Sequence, residues 1–262
     1  MNPKLLIVTY YWPPSGGAGV QRILKFTKYL PQTGIEPVVL TVENPTYPIK
    51  DPSLLKEIPT SLDVHKTKSY EPYAIYAKLA GKNVDNIAKP TSAISTNKTI
   101  TGKLAAWLRA NIFRPDARIG WQINARKKAC ELIESENISA ILTTGTPHSV
   151  HFTGLKASRK YDIPWIADFR DPWGQIHYNQ HLPRTKPARK LDRKMEQAVL
   201  KEADEVLVVS PSMVDLQKNV WKRPYRVITN GFDPDDFKNE AQAVAPNKQL
   251  TIRYVGSLSE TM

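Results

Sequence analysis

The chain opens with Lys4-Leu-Leu-Ile-Val-Thr-Tyr-Tyr-Trp-Pro-Pro-Ser-Gly-Gly-Ala-Gly-Val-Gln-Arg-Ile-Leu-Lys-Phe-Thr-Lys-Tyr-Leu30, and this stretch restricts the fold more than any other. The unbroken apolar and β-branched run from Leu5 to Tyr10 reads as a strand buried on both faces, as in a parallel sheet. Pro13 and Pro14 end it, and Ser15-Gly16-Gly17-Ala18-Gly19 follows. An amphipathic helix then begins, with Val20, Ile23, Leu24, Thr27 and Leu30 on one face and Arg22, Lys25 and Lys28 largely opposite. Strand, glycine loop and helix form the first unit of a doubly wound α/β domain, in which ligands bind at the C-terminal ends of the strands.

The glycines admit two readings. Without Cβ atoms, a loop at Gly16, Gly17 and Gly19 can bring its N–H groups close to a phosphate, at the partly positive N-terminus of the helix behind it. The plainer reading is a tight turn with no ligand. Neither the dinucleotide fingerprint G-x-G-x-x-G nor the P-loop is present, since the glycine spacing is wrong for the first and Val20-Gln21 stand where the second needs Lys and Ser/Thr.

Composition narrows the partners. Among 262 residues, one cysteine, Cys130, excludes an internal disulfide framework and a multi-cysteine metal site, and fits a reduced cytoplasmic protein. No apolar run is long enough to span a membrane, and the N-terminus does not resemble a signal peptide. The formal charge of +12 favours an anionic partner: a membrane surface, a nucleotide or a lipid-linked substrate. Residues Arg184 to Lys194 carry six basic side chains and one acid. No RNP motif, arginine-glycine repeat or zinc-finger spacing supports nucleic acid.

Along the chain, the pattern predicts strands at Glu36–Val42, Leu62–Thr67, Ser139–Thr144, Pro164–Phe169, Glu205–Val209 and Arg226–Thr229. Helices are expected near 52–58, 72–80, 150–161, 187–203 and 211–220, residues 115–124 lead into a long helix through about Ser135, and there is helical spacing across Leu104 to Ile112 and a polar loop over 81–101. In the helix 187–203, Leu191, Met195, Ala198 and Val199 are expected to face the sheet and the basic residues to point outward. The β-α-β alternation predicts an α/β fold: a doubly wound, Rossmann-like, mostly parallel sheet with right-handed crossovers. Its strand ends carry 13–19, 145–149, 168–173, 210–212 and 230–231, which should converge on one crevice. Residues 1–232 read as one domain, and 233–262 as a linker followed by the opening strand of another at Leu250–Gly256.

Several phrases together resemble the GT-B glycosyltransferases, specifically the large retaining family called family 4. They are the Gly-Gly-x-Gly opening, Thr144-Gly-Thr-Pro-His148, Ile163-Pro-Trp-Ile-Ala-Asp-Phe-Arg-Asp-Pro-Trp173, Glu202 to Ser210, Val227-Ile-Thr-Asn-Gly-Phe-Asp233 and Arg253-Tyr-Val-Gly-Ser257. Their order and spacing carry the resemblance over nearly the whole chain. It implies an N-terminal acceptor-binding domain followed by a hinge. The nucleotide-sugar site and its Glu-x7-Glu carboxylates would lie in a C-terminal domain beyond Met262, so this chain alone is expected to be inactive. It implies transfer of a hexosyl group to a glycan or lipid-linked acceptor in polysaccharide assembly, in the cytoplasm or peripherally at the inner membrane face. No metal or other cofactor is expected. Many members carry a histidine where this chain has Arg170-Asp171, and the segment 43–120 matches no motif of the family.

The resemblance favours donor-phosphate binding by Gly16, Gly17, Gly19 and Asn230, and acceptor contacts from Trp12, Thr146 and Trp173. Arg170 reads as a bidentate clamp for an acceptor phosphate and Asp171 as a group that orients it or accepts from the acceptor hydroxyl, or the two read as an ion pair that fixes the loop. His148 reads as a base toward the acceptor hydroxyl or as an ordinary loop histidine, and His151 as helix surface. A non-catalytic module for a sugar or lipid phosphate is the alternative. A dehydrogenase-like domain is disfavoured by the missing fingerprint.

Overall fold

The computed structural model describes residues 2–43, 45, 47, 49–70, 107, 110–175, 182–238 and 252. The helix expected at 72–80, the loop at 81–101, most of the 104–112 stretch and the strand at 250–256 lie outside them. The chain divides into two units, Met1–Gly231 and Phe232–Met262. In the second, Pro234–Phe237 form a 3-10 turn capped by the Asp233 carboxylate.

In the first unit the described residues build a seven-stranded sheet. Its strands are β1 (Lys4–Thr9), β2 (Glu36–Val42), β3 (Asp63–Thr67), β4 (Ile138–Gly145), β5 (Trp165–Phe169), β6 (Glu205–Val208) and β7 (Arg226–Val227). Every pairing is parallel, in the order β3-β2-β1-β4-β5-β6-β7. This is an α/β, Rossmann-like fold. The helices are α1 (Ala18–Tyr29), α2 (Gln122–Glu136), α3 (His151–Tyr161), α4 (Lys186–Glu202) and α5 (Pro211–Lys218).

The two-residue alternation of the strands sorts two cores. Leu6, Val8 and Tyr10 join Leu40, Ile141, Trp165, Ala167, Phe169 and Val206 on the side packed by α2, α3 and α4. Leu5 and Ile7 join Val39 and Leu142 on the other side, with Val20, Ile23 and Leu24 of α1. Connections running from β1 to β3 and from β4 to β7 therefore lie on opposite faces, as right-handed crossovers require when the winding direction reverses. The reversal falls between β1 and β4, where the loops leaving the two strands part and open a crevice.

Helix ends follow local chemistry. Thr185 and Ser210 accept from the N–H groups of Ala188 and Met213, each with a proline in the first turn behind it. Asn137 and Asp162 close α2 and α3 in the left-handed region, and Gly34 (φ 79°) does the same for the turn after α1.

Two expectations about helix faces are corrected. Arg22 does not point outward: it is 6% exposed and lies between α1 and the sheet. In α4 the buried stripe is Ala188, Asp192, Glu196, Val199 and Leu200, and Leu191 is 39% exposed. Val199 lies in the core and Met195 and Ala198 pack against it, as expected, whereas Leu191 turns outward because Asp192 and Glu196 take the buried face beside them. Arg189, Lys190, Arg193, Lys194 and Lys201 are exposed, as expected.

Candidate functional site

The loop after β1 turns into α1 through Gly17, which caps the helix at φ 103° and offers it no side-chain acceptor. That angle is in the region only glycine adopts readily. The Val20 and Gln21 N–H groups bond to the Gly17 carbonyl, which leaves the N–H groups of Ala18 and Gly19 at the open first turn. Gly16 is different from its expected role. Its N–H donates to the Ile49 carbonyl at 3.1 Å, so the β1 loop is tied to the segment after β2 and this donor is already committed.

Arg170 follows β5 and reaches across β4 to this turn. Its Nε donates to the Gly145 carbonyl (2.9 Å) and its Nη2 to the Thr146 carbonyl (2.6 Å). Nη1 lies directly against Gly19, where any Cβ would overlap it. One bidentate edge of the guanidinium, Nε with Nη2, is therefore occupied by main chain, which fixes the cation in place with Nη1 toward the turn. Burial works against its charge, while Asp168 and then Asp171 support it. Asp171 accepts from the Thr146 hydroxyl at 2.6 Å. Both residues brace the 145–147 loop, each by its own bond.

A buried network that the sequence reading missed lies beneath. Arg22 binds Asp168 through Nε (3.2 Å) and Nη2 (2.9 Å), and Asp168 also accepts from the Thr144 hydroxyl at 2.8 Å. The Nη1 of Arg22 donates to the Thr229 carbonyl (3.1 Å) and the Asn230 side chain (3.2 Å). One guanidinium thus joins α1, β5 and the segment after β7. Asn230 serves here as an acceptor for Arg22.

His148 and His151 are both buried. His151, expected on the helix surface, instead stacks on Phe169 with ring centroids 4.6 Å apart. The Trp165 indole donates to the Thr143 hydroxyl, and that oxygen sits 2.8 Å from His151 Nδ1. The same hydroxyl also lies 3.5 Å from the Ile166 carbonyl, so it has an acceptor for its own proton besides Nδ1 and is compatible with either His151 tautomer. Burial drives the pKa of His151 well below the ordinary value and that of His148 down to about 4. Asp171 and a bond to the Pro172 carbonyl oppose the shift at His148, but burial prevails. Both imidazoles are neutral at pH 7. Their unpaired nitrogens, His148 Nδ1 and His151 Nε2, flank Gly145, where a Cβ would stand 3.0 and 2.8 Å from them.

Trp12 and Trp173 are each 1% exposed and belong to the two cores, because large rings at strand ends fill the space under the loops. Trp173 stacks on His148 at 5.0 Å and donates to Asp192. Asp116, also absent from the expected set, accepts from the Ser149 N–H and hydroxyl at 2.8 Å each, and burial raises its pKa. Away from this crevice, His65 Nε2 lies 3.1 Å from both Asp63 and Glu136 at the outer strand β3.

The crevice thus gathers Gly17, Gly19, Gly145, Thr146 and Arg170 around the reversal point of the sheet. A family model described as Glycosyltransferase Family 4 matches residues 96–236, more than half of the chain. The chain belongs to glycosyltransferase family 4. Among solved structures, this family 4 chain is similar to Anabaena Alr3699/HepE, solved with UDP and glucose, at 14% identity and a TM-score of 0.52, covering 91% of this chain and 47% of that one. It is also similar to MurG of Acinetobacter baumannii, at 15% identity and a TM-score of 0.44, covering 92% and 50%. At such identities the HepE likeness is one of fold. The chain spans about half the length of these structures. No curated protein sequence matches it.

Proposed function

We propose that this family 4 chain is the N-terminal, acceptor-side domain of a retaining glycosyltransferase. It acts with a nucleotide-sugar donor and passes a hexosyl group to a glycan or lipid-linked acceptor. The observation that carries this reading is the lodging of Arg170 against Gly19. A fixed cation and the uncapped first turn of α1 meet at the C-terminal edge of a parallel sheet, at its reversal point. Backbone donors and a held charge suit the negative charge that develops on a leaving diphosphate, because they need no reorganisation as it forms. No metal enters the proposal.

In this reading Thr146 and Asp171 hold the acceptor loop in shape, and His148 contributes a neutral hydrogen-bonding group near the acceptor hydroxyl. The exposed lysines and arginines of α4 face an anionic membrane that carries a lipid-linked acceptor at the cytoplasmic side. Each such charge contributes on the order of 1 kcal/mol near an anionic leaflet. No helix among the described residues is long and apolar enough to cross a membrane.

The test is a titration of polyprenyl-phosphate glycans and of nucleotide-sugars against the chain, alongside an assay for nucleoside diphosphate release. Acceptor binding that Arg170→Ala weakens, with little donor binding and release at background, is the expected result. Binding that ignores Arg170→Ala overturns the site, and turnover by the chain alone overturns the division of labour.

A further inference from the structure

A second cleft lies between α4 and the residues after β5. Its volume is about 480 Å³, and its walls include Gly174, Gln175, Arg184, Asp192, Arg193 and Glu196, with Arg189 at the rim. That size suits a small ligand. The glycosyl-transfer proposal uses the basic face of α4 only as a charged surface and gives the cleft itself no role.

The walls are built of polar groups whose bonding is incomplete. Arg184 gives Nη1 to Asp192 at 2.6 Å and Nη2 to the Pro115 carbonyl at 3.1 Å, while its Nε is buried with no partner. Glu196 is 2% exposed, and its Oε1 is buried and unpartnered. Gln175 Oε1 is in the same condition. A buried donor or acceptor left unpaired is costly, so three around one cleft mark a place shaped for a polar occupant.

Charge indicates which occupant. Arg184 and Asp192 neutralise each other. Burial and the charge of Asp192 hold the Glu196 carboxyl protonated at neutral pH, with a pKa of about 8, so it can donate. Arg189 and Arg193 stand one turn apart on α4, both exposed, and Arg193 makes one bond to the Asn219 carbonyl through Nη2. The cleft therefore presents mainly donors and two uncompensated cations.

We infer that this cleft binds a phosphomonoester, with Arg189 and Arg193 meeting its charge at the mouth and the buried, unpartnered groups of Arg184 and Glu196 turning toward its oxygens from the walls. The same chemistry is offered by a soluble sugar phosphate and by a phosphatidic-acid headgroup. This site is separate from the one around Arg170, and its test does not depend on sugar transfer.

Inorganic phosphate is titrated by calorimetry at low ionic strength into the wild-type chain, the Arg189→Ala/Arg193→Ala variant and, to remove any contribution from the first crevice, the Arg170→Ala variant. Sedimentation is run on the same proteins with phosphatidylcholine vesicles carrying either phosphatidic acid or, at matched charge, phosphatidylglycerol, which has no phosphomonoester. The expected result is binding that survives Arg170→Ala and weakens at least about tenfold in the double variant. Binding of free phosphate identifies a soluble ligand, and selective binding of phosphatidic-acid vesicles alone identifies a headgroup. The proposal is overturned if neither phosphate nor phosphatidic acid binds, if the double variant binds as the wild type does, or if Arg170→Ala abolishes all binding.

Discussion

Arg22 and Asp168, 146 residues apart in the chain, form an ion pair of 2.9 Å with side-chain exposures of 2% and 0%. Separating two charges so deeply buried is far more damaging than never having placed them there, because the survivor has no solvent to turn to. Asp168→Asn is expected to destabilise the domain by about 3–5 kcal/mol, read as a lower urea midpoint. The double replacement Arg22→Met/Asp168→Leu should be less damaging than the two single changes added together.

Gly19 and Arg170 should show the reverse coupling. Gly19→Ala in an ordinary helix would add roughly 1 kcal/mol of stability, but here the new methyl would take the place of Nη1. The variant should lose stability in the wild-type background. In Arg170→Ala the same change should become neutral or stabilising. A double-mutant cycle in urea unfolding measures this, and purely additive energies would contradict the packing described.

The buried histidines set one limit on stability. The pKa of His148 falls from 6.5 to about 4 on folding, so between those values the unfolded chain binds more protons than the folded one. Stability is complete above pH 6.5 and is lost as the pH falls. His148 alone accounts for about 2 kcal/mol by pH 5. His148→Gln should flatten this acid slope of the urea midpoint.

Glu196 sets the opposite limit. Its pKa rises from 4.5 to about 8 on folding, so here the folded state binds more protons. Its contribution is complete below pH 4.5 and is lost as the pH rises toward 8. Asp192, Arg193 and the Gly174 N–H are the groups that bear on it. Glu196→Gln keeps a neutral donor and should raise the unfolding free energy at pH 8.5 relative to the wild type by up to about a few kcal/mol, read as a higher urea midpoint. An unchanged alkaline slope would show that Glu196 is ionised in the folded protein.

The strands were legible because a sheet covered on both faces demands continuous apolar runs, and Leu5–Tyr10 and Ser139–Thr144 supply them. The turn at Gly16–Gly19 was legible from glycine itself. What failed was the partition of charged residues between surface and interior. A helical projection counts Arg22 as polar and sends it outward, whereas its position is decided by Asp168, on a distant strand. The available signal was the carboxylate: Asp168 stands in a strand of Trp, Ile, Ala and Phe, and a central strand cannot hold it without a cation. In α4, Asp192 and Glu196 stand four apart between Ala188 and Val199, and reading only the apolar positions sent Leu191 inward in their place. The bracing of the 145–147 loop by Arg170 was beyond sequence pattern, since its acceptors are main-chain carbonyls.

The strand order also bears on how the molecule comes together. Strands β1 to β3 and strands β4 to β7 are each contiguous in sequence, and the two sets meet only along β1 and β4, where Lys4 pairs with Ile138. Closing that seam ties off a loop of about 130 residues, an entropic cost on the order of 4 kcal/mol that no local contact offsets beforehand. It is therefore the slow, late event expected of a long-range parallel pairing. Gly19 belongs to one side of the seam, and Gly145 and Arg170 to the other. The crevice has no existence in either half, and recovery of ligand binding during refolding would time the moment at which the halves join.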